Sequence, residues 1–353
     1  MKQLFLPIFS AIILTSCGSA NTPINNQNQN QNQNTSSSNL NNEKAFGKAY
    51  QQIKLKDLKK NLYVIASDEM EGRDTGSPGQ KKAGEYIIQF YRDLGISFPK
   101  NLASYYQKVP SSYMNKIGGR DLPDSENILA FIEGSEKPEE IIVVSAHYDH
   151  VGTKNGVVYN GADDDGSGTV AVMQIAKAFQ KAKKSGYGPK RSILFLHVTG
   201  EEHGLFGSSY YSDNPVFPLE NTVADLNIDM IGRDDAENRG KNYVYVIGSE
   251  MLSSELKLIN EAANKKTNNL ELNYKYDDPK DPDRLYYRSD HYNFAKHRIP
   301  VAFFFDGIHE DYHKPTDDVD KIDFPLLQKR TQLVFATAWE LANREARIVV
   351  DKK

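Results

Sequence analysis

The sequence predicts an α/β protein, a three-layer sandwich in which helices flank a central mixed, largely parallel sheet. Two observations support this fold class. Short apolar runs alternate along the chain with longer segments whose apolar residues recur at helical spacing, the order found in proteins with a parallel sheet. Polar residues follow four of these runs, and open α/β sheets bind ligands at the carboxyl edge of their strands.

Five apolar runs are predicted as buried strands. Each is short, rich in Ile, Leu, Val or Phe, and bounded by polar or turn-forming residues, which favours burial on both faces. The runs are Asn127–Ile132, Ile141–Ala146, Ser192–Val198, Val223–Ile228 and Val301–Phe305.

Helices are predicted between and beside these strands. In Pro78–Leu94 the apolar side chains fall on one face, and Gly95 supplies the stop signal. The other predicted helices are Glu43–Leu62, a segment that ends near Lys184, and Leu326–Ile348.

The first 42 residues are predicted to lie outside the folded domain, which spans 43–353. Residues 1–16 contain an apolar stretch, Leu4–Leu14, that is too short to cross a bilayer as a stable helix. They are predicted to be a lipoprotein signal peptide, because Leu14–Cys17 resembles a bacterial lipobox and Cys17 is the only cysteine. An ordinary secretory signal with an incidental cysteine is the alternative.

Residues 17–42 are dominated by Asn, Gln, Ser and Thr. They are predicted to form a disordered tether, because this composition cannot bury enough apolar surface to fold. With a lipid on Cys17, the domain is expected to be anchored to the membrane of the bacterial cell envelope, at the periplasmic face or the cell surface. The single cysteine excludes internal disulfides and thiolate metal sites.

The composition is that of a globular protein, with 39% hydrophobic and 25% charged residues. The formal net charge is −4, and no basic field is present. Nucleic acid is therefore not an expected partner.

The polar residues that follow the strands suit a metal centre. Glu201 and Glu202 come just after Ser192–Val198, and adjacent carboxylates at the end of a buried strand are costly unless each has a partner. A metal ion would be a partner for one and a catalytic proton for the other. For a two-metal site with imidazole and carboxylate ligands, the chain offers His147, Asp163, Glu202, Asp229 and His313.

Five motifs resemble those of the co-catalytic dinuclear zinc aminopeptidases, including the bacterial leucyl-aminopeptidase type. They are HYDHVG (147–152), NGADDDGSG (160–168), TGEEHGLFGS (199–208), NIDMIGR (227–233) and YHKPTDDVDKI (312–322). The resemblance runs from about Glu71 to Asp323, and five motifs in the same order are far more specific than any one of them. It implies the zinc-peptidase α/β fold.

The resemblance also implies the role of each ligand. One metal is expected to bind His147 and Asp229, the other is expected to bind Glu202 and His313, and Asp163 is expected to bridge them. The peptide bond between Asp163 and Asp164 is a candidate for the cis form. The expected cofactors are two divalent ions; zinc is favoured, although these ligands also suit manganese or cobalt.

Three further residues receive roles from the resemblance. Glu201 is expected to be the general base, which takes a proton from the bridging metal-bound water and passes it to the leaving amine. The Asp149 carboxylate is expected to orient the His147 imidazole. Tyr286 is expected to steady the oxyanion, with Tyr287 as the alternative.

The remaining polar features are expected to be structural. His150, His197 and His203 are expected to be satisfied polar residues rather than ligands, and His309 a loop residue. His291 resembles a supporting residue of the family. The acidic stretch Asp277–Asp283 is expected to be a solvated surface loop.

The expected function is that of an aminopeptidase, which hydrolyses the N-terminal bond of peptides through a bridging metal-bound hydroxide. A glutaminyl cyclase shares the fold and much of the motif set, and metal content per chain would distinguish the two. A non-catalytic ectodomain is disfavoured because no ligand is missing. A carboxypeptidase would need a cationic group such as Arg233 or Arg288 to face the C-terminus of the substrate.

Overall fold

The computed structural model describes residues 42–116, 121–278 and 280–352. The predicted signal peptide (1–16), and all but the last residue of the predicted tether (17–42), lie outside the described residues. The fold described below is that of the unit Lys44–Lys353.

Within the described ranges, eight strands form one sheet in the order β1-β2-β6-β3-β7-β10-β8-β9. Its strands are β1 (Tyr106–Val109), β2 (Ser125–Ile132), β3 (Lys137–His147), β6 (Arg191–Val198), β7 (Thr222–Ile228), β8 (Tyr243–Ile247), β9 (Glu271–Asn273) and β10 (Val301–Phe305). A small separate hairpin pairs β4 (Thr153–Lys154) with β5 (Val157–Val158).

The central strands β6, β3, β7 and β10 are parallel to one another. Towards one edge, β2 is antiparallel to β6 and β1 is antiparallel to β2. Towards the other edge, β8 is antiparallel to β10. The prediction of a mixed, largely parallel sheet is confirmed. All five predicted runs lie within strands, whereas β1, β8 and β9 were not predicted.

Helices cover both faces of this sheet. They are α1 (42–50), α2 (Leu55–Ile65), α3 (Pro78–Leu94), α4 (Ser111–Met114), α5 (Gly168–Lys184), α6 (Phe206–Asp213), α7 (Ser254–Lys266), α8 (His291–Ala295) and α9 (Phe324–Asn343). The larger apolar core includes buried residues of α2, α3, α5, α7 and α9, and a second core contains residues of α6 and α8. The three-layer prediction is confirmed.

The predicted helices differ from the observed ones mainly at their ends. Helix α3 has the predicted bounds; the Ser77 side chain accepts from Gln80 N at its start, and Gly95 adopts φ 68° at its end. The predicted helix Glu43–Leu62 is two helices, which a turn near Gln51 separates. The predicted helix Leu326–Ile348 ends at Asn343, because Arg344 is extended.

The parallel strands bring the polar clusters to one edge of the sheet. Strand β3 ends at His147, and its neighbours β6 and β7 end just before Glu201 and Asp229. Strand β10 ends before the loop that carries His313. Parallel strands with neighbouring registers place these four segments together. Among the helices of the described chain, none combines the length and apolarity that a membrane span requires.

Candidate metal centre

Asp164 lies between the two histidines that were predicted to hold different metals. Its Oδ1 is 3.3 Å from His147 Nε2, and its Oδ2 is 3.0 Å from His313 Nε2. Asp229 Oδ1 is 3.5 Å from His147 Nε2, and Glu202 Oε2 is 2.9 Å from His313 Nε2. The structure therefore forms two ligand pairs, with the Asp164 carboxylate shared between them.

The structure places Asp164, and not the predicted Asp163, between the two ligand pairs. The buried Asp163 carboxylate accepts from Gly232 N (2.6 Å) and lies 3.2 Å from His309 Nε2. The cis peptide is likewise one residue later, between Asp164 and Asp165. Because Asp164 and Asp165 have non-helical backbone angles, consecutive side chains of this loop point in different directions. Three consecutive aspartates gave the sequence no way to choose among them.

Two further residues hold the loop that carries Asp164. The Asp317 carboxylate accepts from the main-chain N–H groups of Asp163 (3.0 Å) and Asp164 (3.1 Å). Gly161 has φ 53°, and a Cβ atom there would lie 2.3 Å from Asp164 O. The segment that carries His313 thus positions Asp164, and only glycine fits beside it.

Arg73 ties this loop to the end of β3, a role that the sequence did not reveal. Its buried guanidinium donates to the carbonyls of Tyr148 (3.0 Å), Asn160 (2.7 Å) and Gly161 (2.9 Å). A buried cation that donates to carbonyls of two segments fixes their spacing. The arginine therefore supports the metal centre without reaching it.

Asp149 orients His147 through a different atom from the one predicted. His147 Nδ1 lies 3.1 Å from the main-chain O of Asp149, whereas the nearest carboxylate oxygen is 3.9 Å away. The carboxylate accepts instead from Thr75 Oγ1 (2.8 Å) and from Glu201 N (3.3 Å). It therefore also positions the backbone of the predicted general base.

Asp229 is held by a short relay of side chains. Ser289 Oγ donates to Asp229 Oδ2 (2.6 Å) and accepts from Asn227 Nδ2 (3.0 Å). This leaves Asp229 Oδ1 directed at His147. Supporting partners of this kind fix the orientation of a metal-binding carboxylate.

The donor atoms fit a divalent ion. Three buried atoms of these residues make no hydrogen bond within the described chain: His147 Nε2, Asp164 Oδ2 and Glu202 Oε1. Buried polar atoms are normally paired, and these are imidazole nitrogens and carboxylate oxygens, which bind zinc. Two groups of potential ligands converge in the described residues: His147, Glu201 and Asp229 form one, and His150, Asp164 and Glu202 form the other.

Comparison with known proteins decides the family. The model of peptidase family M28 matches residues 127–338, which is more than half of the chain. The chain belongs to this family. The predicted resemblance is therefore confirmed at the level of the family.

The chain spans only part of the length of the curated relatives that it matches. A probable leucine aminopeptidase of Arthroderma otae is 27% identical over 301 residues, which cover 81% of this chain and 76% of the relative. For three other curated relatives, the match covers only 32%, 16% and 24% of their length.

Solved structures show the same fold. The LapA aminopeptidase of Legionella pneumophila is 20% identical with a TM-score of 0.66, over 86% of this chain and 75% of that one. The glutaminyl cyclase of Porphyromonas gingivalis is 18% identical with a TM-score of 0.65, over 81% and 97%. At such identities the likeness establishes the architecture.

The charges of the M28 centre are strongly coupled. Burial raises the pKa of Glu201 well above its usual range, and the nearby carboxylates of Asp229 and Asp290 raise it further. Burial opposes ionisation of Asp164 too, but His147 and His313 outweigh it and hold the pKa of that carboxyl well below its usual range. Glu201 therefore holds a proton more readily than an ordinary glutamate, whereas the ionised form of Asp164 is favoured.

Tyr312, rather than the predicted Tyr286, lines the pocket at this site. Tyr286 packs against the apolar side chains beneath the site, with its ring 5.6 Å from His291. Tyr312 stacks on His313 at 3.9 Å and lines the pocket that contains Asp164 and Glu201. Burial raises the pKa of Tyr312, and the carboxylates of the centre raise it further, so its hydroxyl stays protonated. A tyrosine directly before a predicted ligand was the signal in the sequence.

One wall of this pocket is apolar. Besides the carboxylates, it is lined by Met230, Leu285, Phe303, Phe305 and Ile308. Arg288 also lines it, whereas Arg233 is paired with Asp311 at 3.0 Å. The pocket therefore combines acidic groups at the metal centre with apolar side chains beside them.

The histidines that were not predicted as ligands differ in how near they lie to the centre. His150 is one of the potential ligands, and His309 bonds Asp163. His197 and His203 have structural partners, Tyr91 and Asp74. His291 stacks on Phe303 at 4.6 Å.

The acidic stretch Asp277–Asp283 is more than a solvated loop. Asp277 accepts from Gly248 N at 2.7 Å, and Asp281 accepts from Leu285 N at 2.9 Å. These two carboxylates fix the segment that leads to the apolar pocket wall.

Proposed function

We propose that this M28 peptidase is a two-metal aminopeptidase that releases single, preferentially apolar residues from the N-termini of peptides. The observation that carries the proposal is the pair of ligand sets that share the Asp164 carboxylate. Glu201 lies beside these ligands but is not the carboxylate that they share. His147 and Asp229 would hold one divalent ion, Glu202 and His313 the other, and Asp164 both. When bound, such ions polarise a scissile carbonyl and acidify a water molecule.

The residues of the chain supply the remaining chemistry. We expect Glu201 to accept a proton from the attacking water and to pass it to the leaving amine, a role suited to a carboxyl with a raised pKa. We expect the Tyr312 hydroxyl to donate a hydrogen bond to the oxyanion of the tetrahedral intermediate. Because the pKa of Tyr312 is raised, this donor keeps its proton.

The shape and charge of the pocket support an aminopeptidase with an apolar preference. The carboxylates Asp164, Glu201 and Asp229 attract the positive N-terminus of a peptide. The wall formed by Met230, Phe303 and Ile308 suits an apolar first side chain. The relative named as a probable leucine aminopeptidase is consistent with this choice.

A peptide panel tests the proposal. The purified protein is incubated with peptides that begin with Leu, Ala, Lys, Asp or Gln, and products are followed by mass spectrometry. We expect loss of one residue, fastest from the Leu peptide, and no reaction after N-terminal acetylation or chelation. Cleavage that survives acetylation but stops after C-terminal amidation would overturn the proposal in favour of a carboxypeptidase.

A glutaminyl cyclase is the second candidate, because the solved cyclase has the same fold. Loss of ammonia from the Gln peptide alone, with one metal ion per chain, would establish it. The paired ligand sets favour the aminopeptidase, for which we expect two ions per chain.

We also propose that a lipid on Cys17 anchors the enzyme in the bacterial cell envelope. The support is the signal-like stretch 1–16 and the lipobox-like Leu14–Cys17. Labelling with a radioactive fatty acid should mark the wild-type chain and fail with Cys17→Ser. Release of the wild type from membranes without detergent would contradict this anchor.

A further inference from the structure

His150 lies in the metal centre, although it is outside the expected ligand set. Its side chain is fully buried, and its Nδ1 is 2.7 Å from Glu202 Oε1 and 3.8 Å from Asp164 Oδ2. Its ring centroid is 5.9 Å from that of His313. The imidazole therefore faces the same carboxylates as His313 does.

The approach of His150 to Glu202 lacks the geometry of a hydrogen bond. Neither nitrogen of His150 has a hydrogen-bond partner in the described chain, and Glu202 Oε1 has none either. Two buried polar atoms at this distance are costly without a shared partner. A cation bound by both atoms supplies that partner, because an imidazole lone pair and a carboxylate oxygen are both zinc ligands.

The surrounding backbone holds the ring in this position. His150 N donates to Arg73 O at 3.1 Å, which fixes the main chain. A Cβ atom on Gly161 would lie 2.5 Å from two ring carbons of His150, so the imidazole packs flat against this glycine. These contacts hold the His150 side chain in position before a metal ion binds.

We propose that His150 is a supplementary ligand of the ion that Glu202 and His313 hold, an inference that rests on the two-metal centre proposed above. This ion then has two imidazoles and two carboxylates of the protein, His150, His313, Glu202 and Asp164. The other ion has a single imidazole, His147. The site formed by His150, Glu202 and His313 consequently binds its ion more tightly than the site at His147. Chelation therefore removes the ion at His147 first.

The test measures metal binding directly, without peptide substrate. Wild type, His150→Ala and His197→Ala are dialysed against graded chelator, and ions per chain are counted by mass spectrometry. His197 is the matched control, a buried histidine whose partner is Tyr91. We expect two binding classes in wild type and the control, and a loss of at least about 100-fold in the tighter class for His150→Ala, more than an orienting partner typically contributes. Equal affinities in all three proteins would overturn the proposal.

A second variant keeps the proposal testable if His150→Ala does not fold. His150→Cys places a thiol beside the ion, and the cobalt-substituted variant should show a sulfur-to-cobalt charge-transfer band that wild type lacks. A folded, cobalt-loaded His150→Cys protein without this band would also overturn the proposal, since it leaves His150 only as an orienting residue. Because neither readout involves peptide cleavage, a failed peptide panel would sink the aminopeptidase and leave this result standing.

Discussion

Asp164 Oδ2 lies 3.0 Å from His313 Nε2, although the two residues are far apart in the sequence. The other oxygen of the same carboxylate faces His147. Both ligand sets therefore depend on one side chain, and its neighbour Asp163 belongs to a different network. This separation of adjacent aspartates leads to the first prediction.

Asp164→Asn should abolish the two-metal centre, whereas Asp163→Asn should preserve it. An amide is a poor bridge between two cations, so we expect ions per chain to fall from two to one or fewer and kcat/KM to fall by about 10³-fold or more. In Asp163→Asn an oxygen can still accept from Gly232 N, so the metal content should be unchanged. That variant should lose about 1–3 kcal/mol of unfolding free energy, because its contact with His309 is altered. Equal metal loss in both variants would contradict the assignment.

Glu201→Gln should remove catalysis and leave the metals in place. The glutamine cannot accept the proton that passes to the leaving amine, so kcat should fall by about 10²–10⁴-fold. Metal content, measured in the same sample, should equal that of wild type because the two ligand pairs are intact. A variant that lost its metals together with its activity would place Glu201 among the ligands instead.

Tyr312→Phe and Tyr286→Phe should differ strongly. Removal of the Tyr312 hydroxyl should lower kcat by about 10²–10³-fold with little change in KM, as for other lost oxyanion donors. Tyr286 lies among apolar side chains, so its variant should keep nearly full kcat. Steady-state kinetics with a Leu peptide decides between them, and the opposite ranking would restore the assignment made from the sequence.

The fold could be predicted because strands that are buried on both faces appear in the sequence as short runs of apolar residues. Val301–Phe305 and Ser192–Val198 lie between neighbours on both sides and are covered on both faces, so most of their residues are apolar. Strand β8 was not predicted, although its sequence YVYVI has the β-branched and aromatic residues of a strand; its antiparallel pairing with β10 depends on tertiary contacts that the sequence does not display. The same holds for the short β9, which pairs with β8 alone.

Residue types and their spacing predicted most of the site, but not the features that depend on side-chain direction or tertiary packing. Motif order was enough to select four of the five ligand positions that the structure brings together. It failed between Asp163 and Asp164, because the direction of a side chain in an irregular loop depends on backbone angles that the sequence does not display. It failed for His150 and Tyr312 as well, because their proximity to the carboxylates arises from tertiary packing.

Asp225→Asn should flatten the pH dependence of stability above pH 5. Asp225 lies in the sheet, where Ser145 Oγ donates to it at 2.7 Å, and burial raises its pKa to about 8. Between its unfolded pKa of about 4 and this value, the folded chain keeps a proton that the unfolded chain releases, so the free energy of unfolding falls as pH rises. The slope from this group is at most about 1.4 kcal/mol per pH unit.

Urea titrations of wild type and Asp225→Asn at pH 5, 6.5 and 8 should therefore diverge, because the variant loses less stability towards pH 8. Asp225 is not a metal ligand, so the pH dependence of metal binding is common to both proteins and cancels in their difference. Part of the slope should remain in the variant, because burial also raises the pKa of Asp290 to about 7. Parallel curves would show that Asp225 is ionised within the sheet, where its second oxygen would then need a hydrogen-bond donor such as an internal water.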